Sequence, residues 1–204
     1  MKKIIAMLLV LVMSVTGLVG CGSSKGNEAG STSAGSDSDW AYIQDKGKLT
    51  VGITLFAPMN YYNEKNKLVG FDTEMAEAVT KKLGIDVEFT EINWDSKEVE
   101  LSSKNIDCIW NGFTINGRED DYTWSDPYLN NEQVMVVTSD SGIETLADLA
   151  GKNVVVQAAS AALDALNSED NKELTDSFAS LTENPDYNTA FMNIDSGAAD
   201  AVAV

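Results

Sequence analysis

Patterns typical of β-strands alternate with patterns typical of α-helices along most of the chain. Strand patterns occupy residues 49–55, 87–89, 106–110, 134–138, 153–157 and 199–204, and helix patterns occupy residues 72–83, 94–103, 145–150, 161–166 and 187–194. This order favours mostly parallel sheets with helices on their faces. Residues 61–62 and 68–71 flank a turn-like segment and predict a hairpin. The chain is therefore predicted to adopt an α/β fold built from two successive α/β units.

Specific residues mark the predicted ends of these helices. Asp72 is predicted to cap the first helix, and Gly84 is predicted to end it. The apolar positions of that helix follow helical spacing: Met75, Ala76, Val79 and Leu83. In the second unit, Thr145 and Asp148 have the spacing of a capping box, and Ser160 is predicted to cap the helix that follows it.

The first 21 residues carry the pattern of a secretory signal. Lys2 and Lys3 provide a positive start, residues 4–15 are apolar, and small residues precede Cys21. The apolar stretch is too short and wrongly flanked for a stable transmembrane helix. A cysteine at the cleavage point resembles a bacterial lipobox, which implies that Cys21 becomes the first mature residue and carries a lipid such as palmitate. An ordinary signal peptide with an incidental cysteine is the alternative.

A flexible linker is predicted at residues 22–39, because this tract rich in Gly, Ser and Asp has no large apolar residue. As a random coil it would span about 23 Å, which suits a tether between a membrane and a folded body. The folded part is expected to comprise a first lobe at residues 40–132 and a hinge with a second lobe at residues 133–204. The chain stops inside the apolar run 200–204, so we interpret it as a fragment with an incomplete second lobe.

Composition excludes several classes of function. The chain has no histidine, which excludes histidine-based catalysis and disfavours metal sites, so neither a metal nor a cofactor is expected. The net charge of −18 argues against a nucleic-acid partner and fits a soluble exported protein. Cys108 is the only cysteine after Cys21, so the folded part can form no internal disulfide. We expect Cys108 to be a buried small apolar residue.

Arg118 is the only arginine in the chain, and it follows the predicted strand at residues 106–110. An arginine can clamp a carboxylate with two parallel hydrogen bonds. In parallel sheets, ligands bind beyond the carboxyl ends of the strands. The position of Arg118 therefore predicts that it captures a small anionic group. The alternative is a surface ion pair with Glu119, Asp120 or Asp121.

Six short motifs follow one another along the folded part. They are residues 67–72 (KLVGFD), Trp94, residues 112–118 (GFTINGR), residues 124–128 (WSDPY), residues 146–152 (LADLAGK) and residues 199–202 (ADAV). Together they resemble the extracellular solute-binding proteins of family 3, the polar amino-acid receptors of ABC importers. The resemblance covers residues 40–204. It implies a two-lobed fold of the periplasmic-binding-protein type II, here with an incomplete second lobe and an incomplete return to the first lobe.

The resemblance also implies a function without catalysis. Such a protein closes on one free L-amino acid outside the cytoplasmic membrane and delivers it to the permease of an ABC importer. With a lipid on Cys21, the protein would be an exported monomer anchored to the cell membrane. The neutral residues Gln157, Asn60 and Asn111 favour a ligand with a polar, uncharged side chain.

Site residues in the first lobe follow from the same resemblance. Arg118 matches the arginine that pairs with the α-carboxylate of the ligand, and Thr114 matches the hydroxyl residue that bonds its head group. Gly112 matches the residue whose carbonyl accepts from the α-ammonium. Phe56 and Trp94 match the aromatic walls, although either could instead pack in the core.

In the second lobe, Ser160 and the amide of Ala161 match donors to the carboxylate, and Gln157 matches a position that often reaches the ligand side chain. A solvated Gln157 is the alternative. Two departures from the family pattern stand out. The loop from Thr114 to Arg118 is one residue shorter than usual, and Gly117 is expected to absorb the change with a tighter turn. The acid that typically holds the α-ammonium falls at the residue after Val204.

Two other functions remain open at this stage. The first is an enzyme on the same fold, similar to a cyclohexadienyl dehydratase. That chemistry needs a positioned acid or base and additional cationic groups, of which this chain offers little. The second is the ligand-binding domain of a sensor, which the lipobox-like cysteine disfavours.

Overall fold

Two separate main sheets and one small hairpin organise the computed structural model, which describes residues 38–204. The predicted signal segment, Cys21 and nearly all of the predicted linker lie outside the described residues. The described part falls within one compact unit. Within it, none of the helices is both long and apolar enough to span a bilayer.

The helices are α1 Asp39–Lys46, α2 Phe71–Leu83, α3 Lys97–Ser102, α4 Ala161–Asn167, α5 Lys172–Asp176 and α6 Tyr187–Asp195. The strands are β1 Lys48–Ile53, β2 Tyr61–Tyr62, β3 Leu68–Val69, β4 Asp86–Glu91, β5 Cys108–Ile109, β6 Met135–Val136, β7 Asn153–Gln157, β8 Ser180–Asn184 and β9 Ala201–Ala203. Short 3-10 turns occupy Trp94–Ser96, Leu146–Leu149 and Glu169–Asn171. We call the part from α1 to residue 132, which contains β1 to β5, lobe one, and the part from residue 133 to β9 lobe two.

The first sheet has the strand order β4-β1-β5, and both of its pairings are parallel. The central strand β1 is buried from Thr50 to Ile53, and Val51 and Ile53 are fully inaccessible to solvent. Gly52 lies between them, and a Cβ built there would be 2.5 Å from the side chain of Ile106. Ile106 therefore packs directly against the backbone of β1, which explains the glycine at this position.

The second sheet has the strand order β6-β9-β7-β8. Strand β7 pairs in parallel with both β8 and β9, whereas β6 is antiparallel to β9. The run from Val154 to Val156 in β7 is buried, as expected for a central parallel strand with helices on both faces. The predicted α/β architecture with mostly parallel sheets is thus what the chain forms.

Helix α2 departs from its sequence prediction at its N-terminus. Its N-cap is Gly70 rather than Asp72, and Asp72 lies inside the first turn with a fully buried side chain. The buried face of the helix is largely polar, with Thr73 and Thr80 buried, whereas Leu83 is exposed. Gly84 ends the helix in the left-handed conformation, as predicted.

Several other elements differ in extent from the prediction. Helix α1 starts at Asp39 with Ser38 as its N-cap, so it includes the last residue of the predicted linker. Strand β5 is shorter than predicted, and Cys108 in it is half-buried. Strand β6 covers two of the five residues predicted at 134–138, and it is half-buried. Helices α1 and α5 and strand β8 lie where no element was predicted.

Candidate functional site

A cavity of about 180 Å³ lies where the carboxyl ends of strands from both lobes meet. All eight residues that the sequence predicted as ligand-binding line it: Phe56, Trp94, Gly112, Thr114, Arg118, Gln157, Ser160 and Ala161. In lobe one these residues follow β1, β4 and β5, and in lobe two they lie at or just after the end of β7. This is the place where parallel α/β sheets bind ligands.

Seven further residues line the same cavity, and the sequence connected only one of them, Asn111, with the ligand. They are Asn111, Phe113, Asn131, Glu132, Gln133, Tyr187 and Val204. Asn60, by contrast, is not a lining residue. It is buried behind the site, where its amide group donates to Asn111 Oδ1 at 2.9 Å and accepts from the Thr73 hydroxyl at 2.8 Å.

The backbone that carries Arg118 is fixed by a tight turn. The Arg118 N–H donates to the carbonyl of Ile115 at 2.9 Å, and Gly117 inside this turn has a φ of +78°. Only glycine adopts this conformation without strain, so Gly117 allows the shortened loop to close as predicted. The indole N–H of Trp124 donates to the Arg118 carbonyl at 3.1 Å and fastens the turn to lobe one.

The guanidinium of Arg118 is largely buried, with 13% of the side chain exposed. It lies 5.7 Å above the ring of Phe113, and its Nη1 is 3.5 Å from the carbonyl of Thr114. Its Nη2 forms an ion pair with Asp164 in lobe two. The acids next to Arg118 in sequence, at residues 119–121, form no ion pair with it in the described part of the chain, so the surface pairing considered above is wrong.

An aromatic cluster supports this corner of the cavity. Its members are Trp94, Phe113, Tyr122 and Trp124, with neighbouring ring centroids 4.8 to 5.2 Å apart. The buried ammonium of Lys97 lies 5.0 Å from the Trp94 ring. Burial lowers the pKa of Lys97, and the nearby charge of Arg118 lowers it further, while Glu98 and Asp164 act in the opposite direction.

Gly112 is held in place through its backbone N–H. This group donates to Asp72 Oδ2 at 2.9 Å, and the hydroxyl of Tyr128 donates to Asp72 Oδ1 at 2.8 Å. Burial and the Asp72 charge raise the pKa of Tyr128. Asp72 thus ties helix α2 to both ends of the segment that connects the lobes, a role the sequence prediction of a helix cap did not capture.

The hydroxyl oxygens of Thr114 and Ser160 accept hydrogen bonds from neighbouring groups of the protein. Thr114 Oγ1 accepts from Asn131 Nδ2 at 3.0 Å, and Ser160 Oγ accepts from the N–H of Leu163 at 3.2 Å as the N-cap of α4. Because each hydroxyl acts as an acceptor in these contacts, its own O–H can donate to an anion. Gln157 is buried, and its Nε2 lies 3.4 Å from the carbonyl of Pro185.

Two contacts between uncharged groups join the lobes at the cavity, in addition to the ion pair of Arg118 and Asp164. The indole N–H of Trp94 donates to the carbonyl of Ala159 at 3.1 Å. The rings of Phe56 and Tyr187 lie 4.8 Å apart with their planes tilted by 39°. Burial raises the pKa of Tyr187. Tyr187 is the first residue of α6 and follows strand β8. Because β8 was not predicted, the sequence offered no signal that Tyr187 lies in the site.

Comparison with known proteins agrees with this geometry. The family model described as bacterial extracellular solute-binding proteins, family 3, matches residues 49–193, more than half of the 204-residue chain. The L-cystine-binding protein TcyA of Bacillus subtilis (strain 168) is 38% identical over 156 residues, which cover 74% of this chain and 57% of that protein. The arginine-binding extracellular protein ArtP of the same organism is 34% identical over 185 residues, covering 90% of this chain and 64% of that protein.

Solved structures show the same fold. The crystal structure of a substrate-binding protein of an ABC uptake transporter from Streptococcus pneumoniae, with bound histidine, superposes with a TM-score of 0.76 at 32% sequence identity. The match covers 83% of this chain and 70% of that chain. The predicted periplasmic-binding-protein type II fold is therefore confirmed. The chain spans less than two thirds of the length of either Bacillus relative.

Proposed function

Because the chain belongs to the bacterial extracellular solute-binding proteins of family 3, we propose that it binds one free L-amino acid in the cavity between its lobes. The observation that carries this proposal is the convergence of Arg118, Thr114 and Ser160 on one cavity. Thr114 and Arg118 lie in one loop of lobe one and Ser160 lies in lobe two, and each presents hydrogen-bond donors suited to a carboxylate.

The carboxylate end of the ligand lies against Arg118 in this proposal. The guanidinium is largely withdrawn from solvent, which strengthens its hydrogen bonds to an anion. The hydroxyls of Thr114 and Ser160 and the amide of Ala161 complete the set. Hydrogen bonds to charged groups contribute about 1.5–3 kcal/mol each. Four or five of them, less the ordering of ligand and side chains, suffice for the roughly −8 kcal/mol of a micromolar complex.

The ammonium end and the side chain of the ligand occupy the rest of the cavity. The carbonyl of Gly112 accepts from the ammonium, and among the described residues Glu132 is the one acid in the cavity lining. One cation and one anion in the lining match a zwitterion whose side chain is uncharged. The rings of Phe56 and Tyr187 provide an apolar wall, and Gln157 provides an amide for a polar group. A cavity of about 180 Å³ equals the volume of roughly six waters, which suits a single amino acid.

The wider role follows from the relatives. The two Bacillus proteins are named for L-cystine and arginine, and the Streptococcus structure contains histidine, so all three bind amino acids. All three are named as binding proteins, and we extend a non-catalytic role to this chain. In this role the lobes, at residues 40–132 and 133–204, close on the ligand, which stabilises the closed state. The protein then presents the amino acid to an ABC importer permease as a monomeric exported lipoprotein, held at the membrane through Cys21.

A thermal-shift panel tests this proposal. Each of the twenty L-amino acids is added to the full-length protein, and the corresponding amine without a carboxylate serves as the matched control for the best ligand. We expect at least one polar, uncharged amino acid to raise the Tm and its amine to leave it unchanged. A ligand that raises the Tm equally with and without its carboxylate would contradict the assignment of Arg118.

A further inference from the structure

The ion pair between Arg118 and Asp164 connects the two lobes at the edge of the cavity. Asp164 lies on α4, one helical turn after Ser160, and its side chain is 64% exposed, whereas that of Arg118 is 13% exposed. We propose that Asp164 is a positioning residue, which holds the Arg118 guanidinium in place across the cleft and favours closure of the lobes.

The position of Asp164 allows the ion pair and a bound ligand to coexist. Arg118 lines the cavity, but Asp164 does not. The carboxylate of Asp164 therefore reaches the guanidinium from outside the cavity. An arginine has five N–H donors, and the contact with Asp164 uses Nη2. A second donor, on Nη1, contacts the Thr114 carbonyl at 3.5 Å, so three of the five N–H donors stay available for the carboxylate of a ligand. Asp164 therefore orients Arg118 without occupying the N–H donors that bind the carboxylate of the ligand.

A second cation beside Arg118 explains how the charge of Asp164 stabilises the closed lobes. The buried ammonium of Lys97 lies close enough to Arg118 that the arginine lowers the pKa of the lysine. Asp164 acts on Lys97 in the opposite direction. Two largely buried cations beside one cavity repel each other, and Asp164 offsets part of that repulsion when the lobes are closed. Removal of its charge is expected to destabilise the closed arrangement specifically.

The ion pair of Arg118 and Asp164 differs in its sensitivity to salt from two other contacts between the lobes. Trp94 donates to the carbonyl of Ala159, and Phe56 packs on Tyr187, and both contacts are between uncharged groups. An exposed ion pair is screened by salt, whereas aromatic packing is not. Closure that depends on Asp164 must therefore be sensitive to salt.

The experiment measures the distance between the lobes in ligand-free full-length protein. Spin labels are attached at Glu77→Cys on α2 and Glu173→Cys on α5, both of which are exposed positions. The variants are Asp164→Asn, Asp164→Glu and, as the matched control, Asp170→Asn, which removes an equal charge from an exposed acid on the neighbouring turn. The affinity for the best amino acid of the panel is measured on the same variants.

We expect Asp164→Asn to shift the distances between the labels to longer values, and Asp164→Glu and Asp170→Asn to keep the wild-type distribution. About 1 M NaCl, at which the Debye length is about 3 Å, is expected to lengthen the wild-type distances but not those of Asp164→Asn. The affinity of Asp164→Asn is expected to fall about 1.4- to 5-fold, the range that corresponds to exposed ion pairs.

The affinity part of this inference rests on the proposed function, but the distance part does not. Wild-type distances in Asp164→Asn overturn the inference, whether or not any amino acid binds. Wild-type affinity in Asp164→Asn also overturns it and leaves the proposed function standing. If no amino acid binds the wild-type protein, the proposed function fails, and the distances alone decide the role of Asp164.

Discussion

The buried carboxylate of Asp72 accepts a hydrogen bond from the backbone N–H of Gly112 at 2.9 Å, forty residues further along the chain. The same carboxylate accepts from the hydroxyl of Tyr128. One acid in the first turn of α2 therefore fixes the start and the end of the segment that carries Thr114 and Arg118. The geometry of the cavity depends on this side chain, although it does not line the cavity itself.

Asp72→Ala is predicted to destabilise the protein by about 1–3 kcal/mol, because it removes the part-buried hydrogen bonds that the Gly112 N–H and the Tyr128 hydroxyl donate to this carboxylate. Asp72→Asn keeps the shape and one acceptor, so a loss of about 1 kcal/mol is expected. Urea denaturation measures both values. Glu74→Ala, an exposed change in the same turn of α2, serves as control and is expected to change stability by less than about 0.5 kcal/mol. Equal stability of Asp72→Ala and the control would refute this role.

Gly117→Ala is predicted to weaken amino-acid binding, because alanine at a φ of +78° strains the turn that presents Arg118. The strain is expected to cost about 1–2 kcal/mol. Gly142→Ala is the matched control, since Gly142 has a φ of +71° and, like Gly117, has space for a Cβ. Both variants should lose similar stability in urea, but only Gly117→Ala should lose affinity in calorimetry. A parallel loss of affinity in Gly142→Ala would show that the effect is global.

Tyr187→Ala is predicted to change ligand preference, because it removes the ring that packs on Phe56 at the cavity wall. We expect the affinity for the preferred amino acid to fall about tenfold, or about 1.4 kcal/mol, with a smaller loss for amino acids with larger side chains. Tyr187→Phe keeps the ring and is expected to bind as the wild type does. Calorimetric titration with several amino acids measures the change. Uniform losses for small and large ligands would argue against a role in selection.

Lys97 is predicted to make stability depend on alkaline pH. Burial lowers its pKa in the folded protein below the value of 10.5 that applies to an exposed lysine. Between the lowered pKa and 10.5 the unfolded chain binds more protons, so the free energy of unfolding rises as the pH increases through that window. Lys97→Met is expected to remove this rise and to be more stable than the wild type at pH 7. Lys82→Met, at an exposed position, serves as the control and is expected to keep the rise of the free energy of unfolding with pH. Urea denaturation between pH 7 and 10.5 measures both effects, and a less stable Lys97→Met at pH 7 would count against them.

The parts of the fold that were predictable from the sequence have strong local signals. Strand β7 has the predicted bounds because its apolar run is short and continuous, and α4 begins where Ser160 provides a cap. Strand β8 was missed because it is a half-exposed edge strand with mainly polar residues. The buried face of α2 was misjudged because Thr73 and Thr80 contribute to it, and a search for apolar spacing ignores threonines.

Site residues were predictable where they belong to a family motif or to a pattern within one lobe. All eight predicted residues line the cavity, since each lies at the end of a parallel strand or in the motif that follows it. Asp164 and Tyr187 were not found because their importance arises from contacts between the lobes. No local pattern encodes which residue of one lobe will meet Arg118 or Phe56 of the other.

Calorimetric titration of the best amino acid into wild-type, Arg118→Lys and Arg118→Ala proteins tests the central claim most directly. We predict a micromolar or tighter Kd for the full-length wild type and no measurable binding for Arg118→Ala. Arg118→Lys keeps the charge but loses the two parallel hydrogen bonds, so an affinity roughly 10- to 100-fold below the wild type is expected. Wild-type affinity in Arg118→Ala would contradict the claim that this arginine holds the carboxylate of the ligand.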